Sequence, residues 1–381
     1  MNVLILGGDG YLGWPTAMYF SQRGHTVTVV DNYFRRHASI ELDCESLIPT
    51  ANLFQRAKRW REVTGKEIQV LIGDIVQYDI LLSALRESRP DTIIHYAEQP
   101  SAPYSMLNRE KAAFTIQNNL ISTLNIIHGV KEVTPGSHIV KLGTMGEYGT
   151  PNIDIEEGWL DIDYNGRSDR FLFPREASSL YHTTKIQDTD LLWFYVRTWG
   201  LRVTDLMQGP VYGISTDESD LHDDLRTHFH YDEIFGTVLN RFIVQALVGH
   251  PLTIYGKGGQ KRGYINLMDT LQCVYLSACQ PAGFGELRIF NQVTEVFSIN
   301  ELAGMVQRVG KALGYDVRIQ HIANPRKEKE DHYYNPKYTG LIELGLDPHY
   351  LSDEVLTGMF VLLKRYCNRI NTDAIFRGVA W

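Results

Sequence analysis

The sequence predicts an α/β protein built on a doubly wound parallel sheet, with a smaller C-terminal lobe woven onto it. Three observations predict it. Short apolar runs alternate with helix-length stretches over the first 210 residues. A glycine-rich turn joins the first such run to the first helix. The alternation becomes irregular after residue 250, where proline and glycine content rises. Strands that are apolar throughout, joined by helical connections, belong in a parallel sheet covered on both faces.

The elements follow in order. Val3-Leu4-Ile5-Leu6 reads as the first strand and Thr26 to Val30 as the second. Gln69 to Ile72, Thr92 to His95, His138 to Leu142 and Leu201 to Met207 read as four more. Pro15 to Arg23 and Ile80 to Glu87 carry helical periodicity between them. Residues 32–67 are too long for a simple βα connection and hold a helical pattern over Leu53 to Val63, so they read as an insertion. Residues 215–236 are acidic and carry His222, His228 and His230. No HxxxH or HExxH spacing is present there, so a solvated loop is expected, and no metal site. Residues 1–210 are expected to form the sheet domain, with later segments returning to it, and 211–381 mainly the second lobe.

Composition bounds the function. The chain has 381 residues, 44% apolar and 22% charged, which is ordinary for a globular protein. Its net charge is −8 with no long basic run, which argues against nucleic acid or an anionic membrane surface as partner. Cys44, Cys273, Cys279 and Cys367 form no CxxC pair and no zinc-finger spacing. No run approaches the ~18 apolar residues of a membrane span. The first residues enter a strand without a basic region or cleavage site. The expectation is a soluble, cytoplasmic protein without a targeting segment.

Gly7-Gly8-Asp9-Gly10-Tyr11-Leu12-Gly13 follows the first strand and opens a helix. Gly7, Gly10 and Gly13 are spaced for a tight turn, close approach of a pyrophosphate, and helix–strand packing. The helix N-terminus adds free amides and a favourable dipole. Asp31 ends the second strand 18 residues after Gly13. A carboxylate there accepts hydrogen bonds from an adenosine ribose and repels a 2′-phosphate, so NAD is the expected cofactor on a Rossmann-like domain. Tyr11, Leu12, Asn32 and Arg35 belong to the same expected contact set, and the close Arg35-Arg36 pair tempers the preference against NADP.

Tyr181-His182-Thr183-Thr184-Lys185 sets Tyr181 and Lys185 four apart, on one helix face. A lysine near a phenol lowers its pKa from ~10. A phenolate beside the cofactor takes a hydroxyl proton while hydride leaves the same carbon. Thr144, at the end of the fifth strand, is positioned to share the substrate oxygen.

With these motifs the chain resembles the extended short-chain dehydrogenase/reductase superfamily of nucleotide-sugar epimerases and dehydratases. Further blocks are similar to the UDP-sulfoquinovose synthase family: His95 to Gln99, Ser101 to Met106, Gly143 to Gly149, Tyr181 to Lys185, Gly256 to Tyr264, Asn324-Pro325-Arg326 and His332 to Asn335. The resemblance implies conversion of UDP-glucose and sulfite to UDP-6-sulfoquinovose, with NAD recycled in each turnover. It implies that Tyr181 deprotonates the 4-hydroxyl, Lys185 supports the phenolate, and Thr144 polarises O4. The related dehydratases carry an Asp-Glu pair directly after the catalytic Thr. Here Met145-Gly146 stand in those positions. Glu147, His182 and Tyr181 are then the candidates for proton transfer at C5 and O6, with Met145 an apolar wall beside C6. Pro100 stands where plant and bacterial members carry an Arg.

The resemblance also implies contacts by position. Asp74, Ile75, Ala97, Asn118 and Gln208 fall on the cofactor side, with Asn119 as structural support. Gln208, His182, Thr237, Asn240, Arg241, Thr253, Tyr255, Gln260, Arg262 and Arg326 fall on the UDP-sugar side. A homodimer or larger homo-oligomer is implied through residues 108–130 and 178–199, with Phe194, Tyr195 and Trp199 in an interface or in the core.

Overall fold

The structure is a computed structural model and describes residues 1–324 and 332–376. The first half alternates as expected: β1 (Asn2–Leu6), α1 (Gly13–Gln22), β2 (Thr26–Asp31), α2 (Phe34–Glu41), α3 (Leu53–Thr64), β3 (Ile68–Ile72), α4 (Tyr78–Ser88), β4 (Thr92–His95), α5 (Ala102–Met106), α6 (Arg109–Val133) and β5 (His138–Thr144). An exposed hairpin, β6 (Trp159–Tyr164) and β7 (Arg167–Leu172), precedes α7 (Leu180–Trp199) and β8 (Arg202–Gln208). Then come β9 (Val211–Tyr212), α8 (Val238–Leu247), β10 (Leu252–Tyr255), β11 (Lys261–Asn266), α9 (Leu267–Cys279), β12 (Glu286–Gln292), β13 (Glu295–Ser298), α10 (Ile299–Ala312) and β14 (Ile319–Ile322).

Seven strands form one parallel sheet in the order β12-β8-β5-β4-β1-β2-β3. The architecture is the expected α/β doubly wound one, Rossmann-like, with a cleft where β1 and β4 send their connections to opposite sides. Both faces are buried, and the pleat separates them. Val3, Ile5, Val27 and Val29 pack with Trp14, Met18 and Phe20 of α1 and Leu271 and Val274 of α9. Leu4, Leu6, Val30 and Ile93 pack with Leu81 and Leu85 of α4, Ile126 and Ile127 of α6, and Leu192 and Val196 of α7. This is why β1 has no polar alternation. A third core gathers Phe242 and Ile243 of α8, Ile254 of β10, Leu302 and Val306 of α10, and the closing helix Asp353–Lys364; Leu47 and Ile48 of the insertion also enter it.

One segment returns to the sheet, as expected of the later chain, and another differs from the sequence reading. Strand β12 returns to the sheet, pairing with β8 from Glu286↔Arg202 to Gln292↔Gln208. Its polar Arg288, Asn291 and Gln292 hide it from an apolar-run reading, although Asn291 and Gln292 are buried. Residues 215–236 are not a solvated loop: Leu225 to Ile234 are buried throughout. His228 pairs with Asp9 at 3.1 Å, and His230 Nδ1 lies 3.1 Å from the Cys44 carbonyl. Among the described residues, no helix is long and apolar enough to cross a membrane.

Candidate active site

A cavity of about 580 Å³ opens at the carboxyl ends of β1, β2, β4, β5 and β8, the switch-point position for a ligand in such a sheet. At one end lie Gly7, Gly10, Tyr11, Leu12, Gly13, Asp31, Asn32, Arg35, Asp74 and Ile75. Gly7 sits at φ +91, and a Cβ there would meet the Tyr96 carbonyl carbon at 2.7 Å. A Cβ at Gly13 would lie 2.0 Å from the Gly7 oxygen. The first helix has no side-chain cap at Leu12, so its leading amides face the cavity. Asp31 accepts from the Asp9 and Tyr33 amides at 2.8 and 2.7 Å. Burial, then the nearby Asp9 charge, pushes its carboxyl up to about 6. This glycine cradle, uncapped helix and carboxylate fit a dinucleotide. Ala97 and Asn118 also line the cavity.

Asp9, inside the glycine turn, is neutralised from three directions. Arg36 grips it bidentately at 2.7 and 2.8 Å, Arg56 lies at 3.4 Å, and His228 at 3.1 Å. Burial pushes its carboxyl up, but His228, Arg36 and Arg56 together hold it well below the usual range. Burial drives His228 down to about 3. Arg36 is therefore committed to the loop itself.

The stretch that holds Thr144, Tyr181 and His182 is set by helix caps. Ser179 caps α7 by accepting from His182 N, which puts Tyr181 and His182 in its first turn. The Tyr181 amide donates to Ser105 Oγ at 3.2 Å. Thr144 Oγ1 accepts from Gly146 N at 3.2 Å, leaving its own hydrogen to donate. Thr144, Tyr181, His182 and Gln208 line one stretch of wall, and Gln208 is steadied by Gln292 at 3.1 Å. His182 Nδ1 is held by the Ser178 and Ser179 hydroxyls at 2.9 and 3.1 Å. Asn119 ties Gln99 to Thr184, so it braces α6 against α7 behind the wall.

Three expected residues have neighbours that the spacing does not reveal. Lys185, one helical turn from Tyr181, also has a carboxylate partner. Its Nζ lies 2.5 Å from Glu98 Oε2 and donates to the Leu142 carbonyl at 2.5 Å. Burial, then the Glu98 and Glu147 charges, pushes the Tyr181 phenol above its ordinary value. Burial opposes the Lys185 charge, but Glu98 and Asp188 outweigh it and raise its value. Glu98, a cavity-lining carboxylate, was invisible to motif spacing because it lies 87 positions before Lys185.

Glu147 does not reach the cavity. It lies behind Thr144, accepting from that residue's amide at 3.3 Å and pairing with the buried Lys141 at 3.4 Å and Arg175 at 3.7 Å. The turn after Thr144 directs residue i+3 back under the strand as a capping box. Met145, expected as a wall beside C6, points instead into the core with Ile75, Tyr148 and Phe173.

The far end is formed by the second lobe. Thr237 caps α8. Asn240 donates to the His230 carbonyl at 2.9 Å, and Arg241 stands 5.3 Å from the Tyr255 ring. Thr253 accepts from Gln245 at 2.7 Å, and the Tyr255 hydroxyl donates to Glu233 at 2.9 Å. Gln260 and Arg262 complete this wall, with Arg262 3.1 Å from His332 Nε2. Arg326 lies outside the described residues.

A profile of the NAD dependent epimerase/dehydratase family matches residues 3–291. The chain is 49% identical over 380 residues to the chloroplastic UDP-sulfoquinovose synthase of Spinacia oleracea, covering all of this chain and 79% of that one. It is 45% identical over 349 residues to the UDP-sulfoquinovose synthase of Sulfolobus acidocaldarius, covering 91% and 88%. The structure of UDP-glucose 4-epimerase from Bifidobacterium longum, in complex with NAD⁺ and UDP, superposes with a TM-score of 0.71 at 19% identity, covering 96% of this chain and 98% of the other. The chain therefore belongs to the NAD dependent epimerase/dehydratase family, within its UDP-sulfoquinovose synthase branch.

Proposed function

We propose that this enzyme joins sulfite to UDP-glucose to form UDP-6-sulfoquinovose. The observation that carries the reading is the near-complete alignment with two synthases from a plant and an archaeon. The glycine turn and Asp31 would hold NAD, which would supply a reversible hydride acceptor for C4.

The chain's own residues handle the protons. Thr144 donates its free hydrogen to O4, and Tyr181 takes the 4-hydroxyl proton. The 4-keto group acidifies the C5 hydrogen. With Glu147 behind the wall, His182 is the base we assign to it. His182 passes the C5 proton to the departing 6-hydroxyl, which leaves as water as the C5–C6 double bond forms. The sulfur lone pair of hydrogen sulfite bonds C6, the π electrons move to C5, and the proton carried by hydrogen sulfite is delivered to C5. Arg241, Gln260 and Arg262 hold the UDP part, since guanidinium forks match phosphate oxygens.

The exposed Ile116 (42%), Ile121 (36%) and Phe194 (49%) on α6 and α7 support a homodimer through these helices. Four free cysteines support a reducing, cytoplasmic setting.

The test is incubation with UDP-glucose, with and without sulfite, followed by mass spectrometry. A sulfite-dependent UDP-sulfoquinovose mass is expected. UDP-galactose or a 4-keto-6-deoxy sugar, formed regardless of sulfite, overturns the reading.

A further inference from the structure

Glu98 leaves the end of β4 on a turn that is pinned twice. Its own amide donates to the Tyr96 carbonyl, and the Gln99 amide to Asn119, each at 2.8 Å. Its two oxygens face different partners. Oε2 lies 2.5 Å from Lys185 Nζ, and Oε1 lies 3.3 Å from His95 Nε2. None of the three side chains is more than 4% exposed. Burial draws His95 down to about 4, so at neutral pH the ammonium, not the imidazole, carries the opposing charge.

Lys185 is fixed from the other side as well. Its Nζ donates to the Leu142 carbonyl, two residues before Thr144. Its own carbonyl accepts from Lys141 Nζ at 3.2 Å, and the preceding Thr184 accepts from Asn119 at 3.0 Å. The place of the ammonium beside the phenol is thus set by Glu98 and β5, and not by helix spacing alone.

We propose that Glu98 is a positioning residue for the proton step at Tyr181: it holds the Lys185 ammonium at the end of β5, offsets part of its charge, and so sets the pH at which the phenol ionises. The inference rests on the reading above only for the reaction that Tyr181 serves. An unopposed ammonium one turn away favours the phenolate. A carboxylate in contact with that ammonium weakens its pull. After burial itself, Glu98 is the strongest influence that keeps the phenol protonated. The other charged or titratable groups that face Tyr181 are Glu147 and Lys141 behind the strand end, Asp188 further along α7, and Arg35 of α2. His182 lies beside it, with ring centroids 5.2 Å apart.

The test titrates the ligand-free protein by tyrosinate absorbance in the near ultraviolet, as the difference between each enzyme and the same enzyme carrying Tyr181→Phe. In Glu98→Gln the Tyr181 step should move to lower pH by about 1 unit or more. The amide keeps an acceptor for Lys185, and circular dichroism checks the fold. Glu98→Asp keeps the charge but draws it back from Lys185, so it should give a smaller shift in the same direction; it carries the test if Glu98→Gln does not fold. In Lys185→Met, Glu98 is buried without its cation and takes up a proton, so adding Glu98→Gln should then move the step little. In the NAD-loaded enzyme with UDP-glucose and sulfite, the acidic limb of kcat against pH should move the same way as the titration. A step unmoved in both Glu98 variants overturns the proposal, and so does a Glu98→Asp shift as large as that of Glu98→Gln. An equal shift in the Lys185→Met background also overturns it, because Glu98 would then act on the phenol directly and not by holding the lysine. A step that moves as stated, in a protein that makes no sulfosugar, keeps the positioning role and defeats the proposed reaction. An unmoved step in a protein that does make sulfosugar defeats the positioning role alone.

Discussion

Replacing Lys141 with methionine tests whether Glu147 belongs to the frame and not to the reaction. The Lys141 ammonium is fully buried, 3.2 Å from Asp205, 3.4 Å from Glu147 and 2.7 Å from Thr189 Oγ1. At an effective dielectric of ~20, each charge pairing amounts to about 5 kcal/mol before desolvation is subtracted. Removing one partner of a buried pair costs ~3–5 kcal/mol, because the other charge is stranded. Methionine has similar bulk, so little cavity term adds. Lys141→Met should therefore lower the unfolding free energy by about 3–5 kcal/mol at neutral pH. Burial raises the Glu147 carboxyl, and Lys141 is the main group that lowers it. Without Lys141 the folded protein holds that proton more firmly than the unfolded chain does. Folded protein then binds more protons than unfolded, so the deficit shrinks as pH falls from 7 toward 5. Urea unfolding followed by tryptophan fluorescence at both pH values reads this directly. The pair Lys141→Met/Glu147→Leu should recover part of the loss. A variant as stable as wild type, or one whose deficit grows on acidification, refutes the reasoning. Glu147→Gln should lose stability yet still form product, whereas a catalytic Glu147 would lose the product.

Tyr181→Phe should reduce sulfosugar formation by ~10²–10⁴-fold with bound NAD unchanged, as judged by product mass and protein absorbance. Asp31 accepts ribose hydroxyls best as a carboxylate and sits near 6, so NAD retention through gel filtration should weaken as pH falls through that value; equal NAD content at pH 5 and 7 would contradict this. Its raised value also means that folded protein gains a proton before the unfolded chain does, so this group costs stability as pH rises from about 4 to 6. Gly13→Ala drives a Cβ to 2.0 Å from the Gly7 oxygen and should yield protein without NAD. Gly146→Ala sets a Cβ 2.4 Å from His182 Nε2 and should displace that ring, lowering product by 10-fold or more.

What was legible in the sequence was whatever is written locally. Apolar runs such as Val3 to Leu6, the Gly7-Gly10-Gly13 spacing and the Tyr181–Lys185 interval are properties of neighbouring residues, and the structure carries them as strand, cradle and helix face. Glu147 was not legible, because its direction depends on Lys141 in the preceding strand and on a turn that folds back under Thr144. The field at Tyr181 was not legible either, since Glu98 reaches Lys185 across the sheet. The stretch 215–236 reads as solvated because it is rich in Asp and His. It is buried because His228 has a carboxylate to meet in the glycine turn.

The glycine turn carries one more consequence, for descent. An acidic residue inside a loop built for pyrophosphate is tolerable only while Arg36, Arg56 and His228 all face it. These four positions come from the turn, both insertion helices and the segment before α8. None can drift alone: a neutral residue at 9 strands buried cations, and losing one cation restores charge to the phosphate loop. Asp9, Arg36, Arg56 and His228 should therefore be inherited or replaced as a set, and a homologue with another residue at 9 should lack the insertion or fill it with apolar side chains.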